Sequence, residues 1–183
     1  MIKTFTLQAS IVAAALLAWP LAQAGAMTQD EYKAAKTRIG SDFKAGKAAC
    51  DSFSANAKDV CVEEAKAKEK VAYAELEYGF SGKPADQNKV LVVRAESTYA
   101  VAKERCDDLA GNPKDVCVQQ AKAAEVKALA DAKMGRQIGQ AKTDAADEKR
   151  DADYKTAIEK CDAMSGNAKD ACVSAAKTLF GKS

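Results

Sequence analysis

The residues with the most obvious capacity for chemistry in this chain are its six cysteines. They fall in three copies of one stretch: CDSFSANAKDVCVEEAK from Cys50, CDDLAGNPKDVCVQQAK from Cys106 and CDAMSGNAKDACVSAAK from Cys161. Each copy holds one C-x10-C pair. Thiols at a fixed spacing can ligate a metal, exchange with another disulfide, or staple the chain. Zinc is a rival reading, but there is no histidine and an x10 separation matches no common zinc knuckle. Redox-active pairs use C-x2-C, in which the second thiol resolves the first, so a redox sensor is the weaker alternative. Three equal units most simply carry three equal local bridges: Cys50–Cys61, Cys106–Cys117 and Cys161–Cys172.

Little else points to catalysis. Without histidine there is no His-based triad, general base or metal ligand. No Gly-rich phosphate loop is present. Asp144, Asp147, Glu148 and Asp151 fall at i, i+3, i+4 and i+7, so they share one helix face and offer oxygen ligands to a divalent cation. Lys149, Arg150 and Lys155 are interleaved with them, which favours a solvated face. The chain is expected to be no enzyme and to need no cofactor or metal.

The elements that position the cysteines follow from the repeat. Cys50 to Cys106 is 56 residues and Cys106 to Cys161 is 55, a period that suits two helices per unit. Six helices are expected, over about Thr28–Ser54, Asn56–Tyr78, Ala85–Ala110, Asn112–Met134, Gln140–Ser165 and Asn167–Phe180. Lys89-Val90-Leu91-Val92-Val93 is rich in β-branched residues, yet strong helix formers surround it and it is read as helix. Breakers separate the units at Gly79 to Pro84 and at Gly135 to Gly139. The second lacks proline, so one bent helix through Gly135 and Gly139 is the alternative there.

Within each unit the motif reads as a turn. Gly111 and Gly166 suit the left-handed position that closes a helix, where the first copy has Ala55. Asn56, Asn112 and Asn167 suit the N-cap of the next helix, with Pro113 at a tolerant first position. Asp59, Asp115 and Asp170 then favour the positive helix end. The two cysteines of a unit become level on antiparallel helices about one turn from the loop. Phe43, Tyr99 and Tyr154 precede the first cysteine by seven residues, and Gly46, Ala102 and Ala157 precede it by four. This seam faces the partner helix, with core packing as the role of the aromatics and ligand stacking as the alternative. Each unit also places an acid near a helix end and a lysine near a helix start, both against the helix dipole. Pairing across the turn, Asp51 with Lys58, Asp107 with Lys114 and Asp162 with Lys169, would offset both charges.

The chain begins with a leader-like segment. Lys3 gives a positive start, Leu7 to Trp19 an apolar run, and Ala22-Gln23-Ala24 a small-residue cleavage site, with Ala24-Gly25-Ala26 as the second candidate. Cleavage after Ala24 is favoured over an uncleaved anchor, since the run is short of the ~20 residues of a span. Residues 1–24 are thus read as a signal peptide, and 25–80, 81–136 and 137–183 as three hairpin units. Export makes three structural disulfides plausible chemistry. With 28 Lys and Arg against 26 Asp and Glu, the chain is close to neutral, which argues against nucleic acid or an anionic membrane as partner. The fold class is all-α: three disulfide-stapled antiparallel helical hairpins, packed as a bundle or an elongated array. Alanine is the commonest residue within the apolar 48%, and it favours helix but buries little area, so staples should matter.

The blocks CDDLAGNPKDVCVQQAKAAE and TYAVAKERCDDLAGN resemble a group of small exported proteins of Gram-negative bacteria, whose CDxLxGNxKDxCVxxAK repeats sit in Ala/Lys-rich helices. The resemblance spans all three units. Such proteins are often labelled TolA-like, although this chain differs from TolA in lacking a retained membrane anchor and in having short, stapled helices. The resemblance implies export and a helical fold and brings no activity. The expectation is a non-catalytic periplasmic structural or protein-interaction protein of the cell envelope, with a link to stress, and with an unknown envelope or periplasmic protein as partner. The alternative is a carrier of a small ligand or divalent cation, using a cleft lined by Tyr73, Tyr78, Phe80 or Tyr99.

Overall fold

The computed structural model describes residues 27–182. The signal peptide read over residues 1–24 lies outside the described residues. Five α-helices account for nearly all of them: α1 (Gln29–Ala49), α2 (Ala55–Ser81), α3 (Pro84–Arg105), α4 (Asn112–Asp162) and α5 (Asn167–Phe180). Single 3-10 turns over Cys50–Ser52 and Cys106–Asp108 follow α1 and α3.

Local chemistry explains most of the boundaries. A capping box starts α1: the Thr28 N–H donates to Glu31 Oε2 at 2.8 Å and the Glu31 N–H to Thr28 Oγ1 at 3.3 Å. Bonding to Thr28 holds the Glu31 carboxyl below its ordinary range, the backbone N–H contributing most. At the other end of the first hairpin, α2 stops at Gly82 (φ 62°, ψ 6°), whose N–H reaches the Tyr78 carbonyl at 2.8 Å. Lys83 is extended, as a residue before proline tends to be, and Pro84 opens α3.

Six expected helices become five because α4 runs for 51 residues through Gly135 and Gly139. At ~1.5 Å per residue it is about 76 Å long. An interior glycine weakens a helix by only ~1 kcal/mol, whereas proline costs about 3. Gly82-Lys83-Pro84 therefore turns the chain and the proline-free Gly135 to Gly139 does not. Units 81–136 and 137–183 consequently share one helix. The expected ends of the first and third helices also shorten. They stop at Ala49 and Arg105, ahead of the 3-10 turns, rather than at Ser54 and Ala110.

The turn chemistry needs one correction. Gly111 and Gly166, not Asn112 and Asn167, occupy the N-cap positions, and the asparagines are the first helical residues. Both glycines have positive φ (61° and 58°), but with ψ of −149° and −147° they start the second helix instead of closing the first in a left-handed turn. This region of backbone space belongs almost entirely to glycine. In the first copy Ser54 is the N-cap, and Ala55 takes a positive φ of 49°.

Helices pack substantially only on their chain neighbours: α1 on α2, α2 on α3, α3 on α4 and α4 on α5. The result is an open array of stapled hairpins rather than a closed bundle. Its core is thin. The largest fully buried side chains are Cys50, Cys106 and Cys161. The other buried apolar residues are mainly alanines, with Leu76 on α2 and Val90 on α3. Small residues allow close approach. A Cβ added at Gly46 would lie 3.7 Å from the Ala65 Cβ. The α2–α3 contact is the most extensive, and two ion pairs cross it, Arg94 with Glu75 and Arg105 Nη2 with Glu64 Oε1 at 2.6 Å.

Candidate functional site

The feature repeated three times is the hairpin tip. In each, the first cysteine ends or nearly ends a helix and the second lies one to two turns into the next. All three expected pairs are joined: Cys50–Cys61, Cys106–Cys117 and Cys161–Cys172, with Cα separations of 5.6, 5.7 and 5.6 Å. None of the cysteines is free. Disulfides of this kind persist in an oxidising compartment.

The three cross-turn pairs are also brought together. Lys58 Nζ lies 3.0 Å from Asp51 Oδ1, Lys114 Nζ 2.7 Å from Asp107 Oδ1, and Lys169 Nζ 2.9 Å from Asp162 Oδ1. Each bridge joins an acid at a negative helix end to a lysine at a positive one, so two charges poorly placed against the dipoles satisfy each other. The hydrogen bond to Asp107, followed by the attraction of its charge, raises the Lys114 pKa above the ordinary lysine value. All three pairs are solvent-exposed, so salt screens them.

Three residues after each first cysteine sits a large apolar side chain: Phe53, Leu109 and Met164, 52%, 43% and 48% exposed. The sequence signal for them was their common position in the repeat. Each is left about half exposed by the packing of its hairpin. Phe53 and Leu109 have extended backbones beyond the 3-10 turns, which carries them past the ends of the packed helices. The first two tips lie side by side, because the Asn56 side-chain amide donates to the Glu104 carbonyl at 3.2 Å. This tether, rather than an N-cap, is the role of Asn56. The third tip lies at the far end of α4.

The other candidate groups disperse. Phe43, Tyr99 and Tyr154 are half-buried along their seams. Tyr154 packs edge-on to Phe180 with centroids 6.0 Å apart, and the Lys122 ammonium stands 4.9 Å from the Tyr99 ring centre. Phe80 stacks against Tyr32, whose hydroxyl donates to Glu77; that bond raises the tyrosine pKa. Tyr73 and Tyr99 line different grooves, so the aromatics form no common cleft. In the acidic stripe, Asp144 accepts from Gln140 at 2.7 Å, Asp147 from Arg150 at 2.6 Å and Asp151 from Lys182 at 2.6 Å. The Lys182 bond, then its charge, lowers the Asp151 pKa despite some desolvation. Among the described residues no three His, Cys, Asp or Glu side chains gather into a group able to hold a metal ion. A groove of about 630 Å³ runs open along α2 and α3 and is bordered by Val71, Val101 and the Arg105–Glu64 pair.

No described helix is long and apolar enough to cross a membrane. No family model, curated protein or solved structure matches the chain.

Proposed function

We propose that this chain is a non-catalytic structural or protein-interaction protein of the periplasmic cell envelope, exported through its N-terminal leader and working in part under envelope stress. The observation that carries the reading is the triplicated tip: an exposed apolar side chain beside an exposed Asp–Lys pair, held rigid by a disulfide. Apolar centres with polar rims are what protein contacts use. The disulfides support an exported location, and the resemblance to small exported Ala/Lys-rich helical proteins points the same way. Crosslinking in living cells with a tagged copy tests the proposal. It predicts a reproducible envelope or periplasmic partner whose recovery falls when Phe53, Leu109 and Met164 are replaced by serine. Recovery of no such partner, or of one indifferent to these changes, would sink it.

A second reading, a small-ligand carrier, has one observation in its favour. Ser97 is buried with an unpartnered hydroxyl and borders the open α2–α3 groove. Calorimetry with candidate ligands, compared with a Ser97→Ala variant, separates it from the first.

A further inference from the structure

The α4 helix leaves a long face uncovered, and the repeat says what should cover it. Residues 133–146 are all exposed, and a Cβ added at Gly135 or Gly139 would meet nothing within 4 Å. Shifted by the repeat period, the first half of α4 corresponds to α2 and its second half to α3. In the first junction those two helices pack on each other, because Gly82-Lys83-Pro84 folds the chain back. In the second junction α4 continues unbroken, so the equivalent surfaces never meet. Ala74 and Val90, 4% and 7% exposed at the α2–α3 junction, correspond to Ala130 and Ala145, which are exposed. Ala130, Met134, Ile138, Ala141, Ala145 and Ala152 follow one another along a single side of α4 at helical spacing, and all six are exposed.

Charge repeats as well. The Arg94–Glu75 bridge across α2 and α3 corresponds to Lys149 and Asp131. Both are exposed, and neither makes an ion pair among the described residues. They lie 18 positions apart on one continuous helix, so they cannot reach each other within the chain. They can reach each other between two antiparallel copies.

We propose that a second copy of this chain covers this face, the two α4 helices pairing antiparallel about a twofold axis near Gln140. Lys149 of each copy then stands opposite Asp131 of the other, and Met134 and Ile138 of one lie against Ala141 and Ala145 of the other. The contact is isologous, so it closes as a dimer. Each half of the dimer regains the six-helix order that the repeat encodes, with the third hairpin supplied by the second copy, as in a domain swap. The paired stretch, from Gln120 to Lys160, extends over roughly 60 Å of helix.

Sedimentation analysis of the purified, oxidised full chain tests this. A reversible dimer is expected at high micromolar concentration. Amine crosslinking should yield a Lys142–Lys142 link, which only two copies can form. Asp131→Lys or Lys149→Asp should each weaken the dimer by about tenfold, since each places two like-charged pairs at the interface. The double variant should restore it, with circular dichroism unchanged throughout. A protein that stays monomeric, with the third hairpin extended or folded back, would overturn the proposal. So would a dimer without the Lys142–Lys142 link, or one indifferent to the charge reversals.

Discussion

Replacing Cys161 and Cys172 together by alanine should unfold α5 and little else. The bridge closes a loop with a sequence separation of 11. In the chain-entropy model a loop of this size contributes about 3 kcal/mol, by restricting the unfolded chain. The hairpin has little to set against that loss. At 14 residues α5 is near the length at which isolated helices are marginal, among the described helices it packs substantially on α4 alone, and its one buried residue is Ala176. A loss of about 3 kcal/mol corresponds to roughly a hundredfold faster amide exchange. Hydrogen exchange read by mass spectrometry should show this acceleration over Asn167–Phe180 while α1, α2 and α3 keep their protection. The matched Cys50→Ala, Cys61→Ala variant should release α1 but spare α2, because α2 also packs on α3. If α5 exchange is unchanged, or if acceleration spreads evenly over all hairpins, the account of independent staples on an open array is wrong.

Other expectations concern single positions. Ala55→Gly should raise stability by roughly 0.5–1 kcal/mol in thermal melts, since Ala55 holds a positive φ that glycine adopts freely, while Gly111→Ala should lower it by about 1–3. Gly46→Ala should add roughly 0.5–1 kcal/mol, because the new methyl meets the Ala65 Cβ at ordinary contact distance and an interior glycine disfavours the helix. The Asp151 carboxyl should titrate below its ordinary 3.8, and Lys182→Ala should return it toward that value. By linkage a depressed carboxylate stabilises above its unfolded pKa, and that contribution fades as pH falls through the folded one. The Lys182–Asp151 clasp should therefore be intact at neutral pH and open only under acid, as an NMR titration of the two side chains would show.

The three staples, the all-helical class and the cross-turn pairs were legible in the sequence because they are local. C-x10-C, Asp-x6-Lys and the helix-forming background act within one hairpin, where two helices and a short turn leave little geometric freedom. The N-caps were misplaced, by one residue in the second and third copies and by two in the first, where Ser54 and not Asn56 is the cap, because serine, glycine and asparagine are all good turn residues. Only the backbone angles at Gly111 and Gly166 separate closing one helix from opening the next. The continuity of α4 was open in the sequence and was decided in the fold, where two glycines without a proline cost less than the hydrogen bonds of an unbroken helix.

What only tertiary structure decided is which surfaces lack a neighbour. Phe53, Leu109 and Met164 look like core residues by type, yet each is about half exposed where its hairpin turns. The first and second tips meet through Asn56 and Glu104, a contact between residues 48 apart that no local pattern encodes. Local spacing set the hairpins; the proline at position 84 and its absence after Gly139 set whether neighbouring hairpins fold together or stand apart.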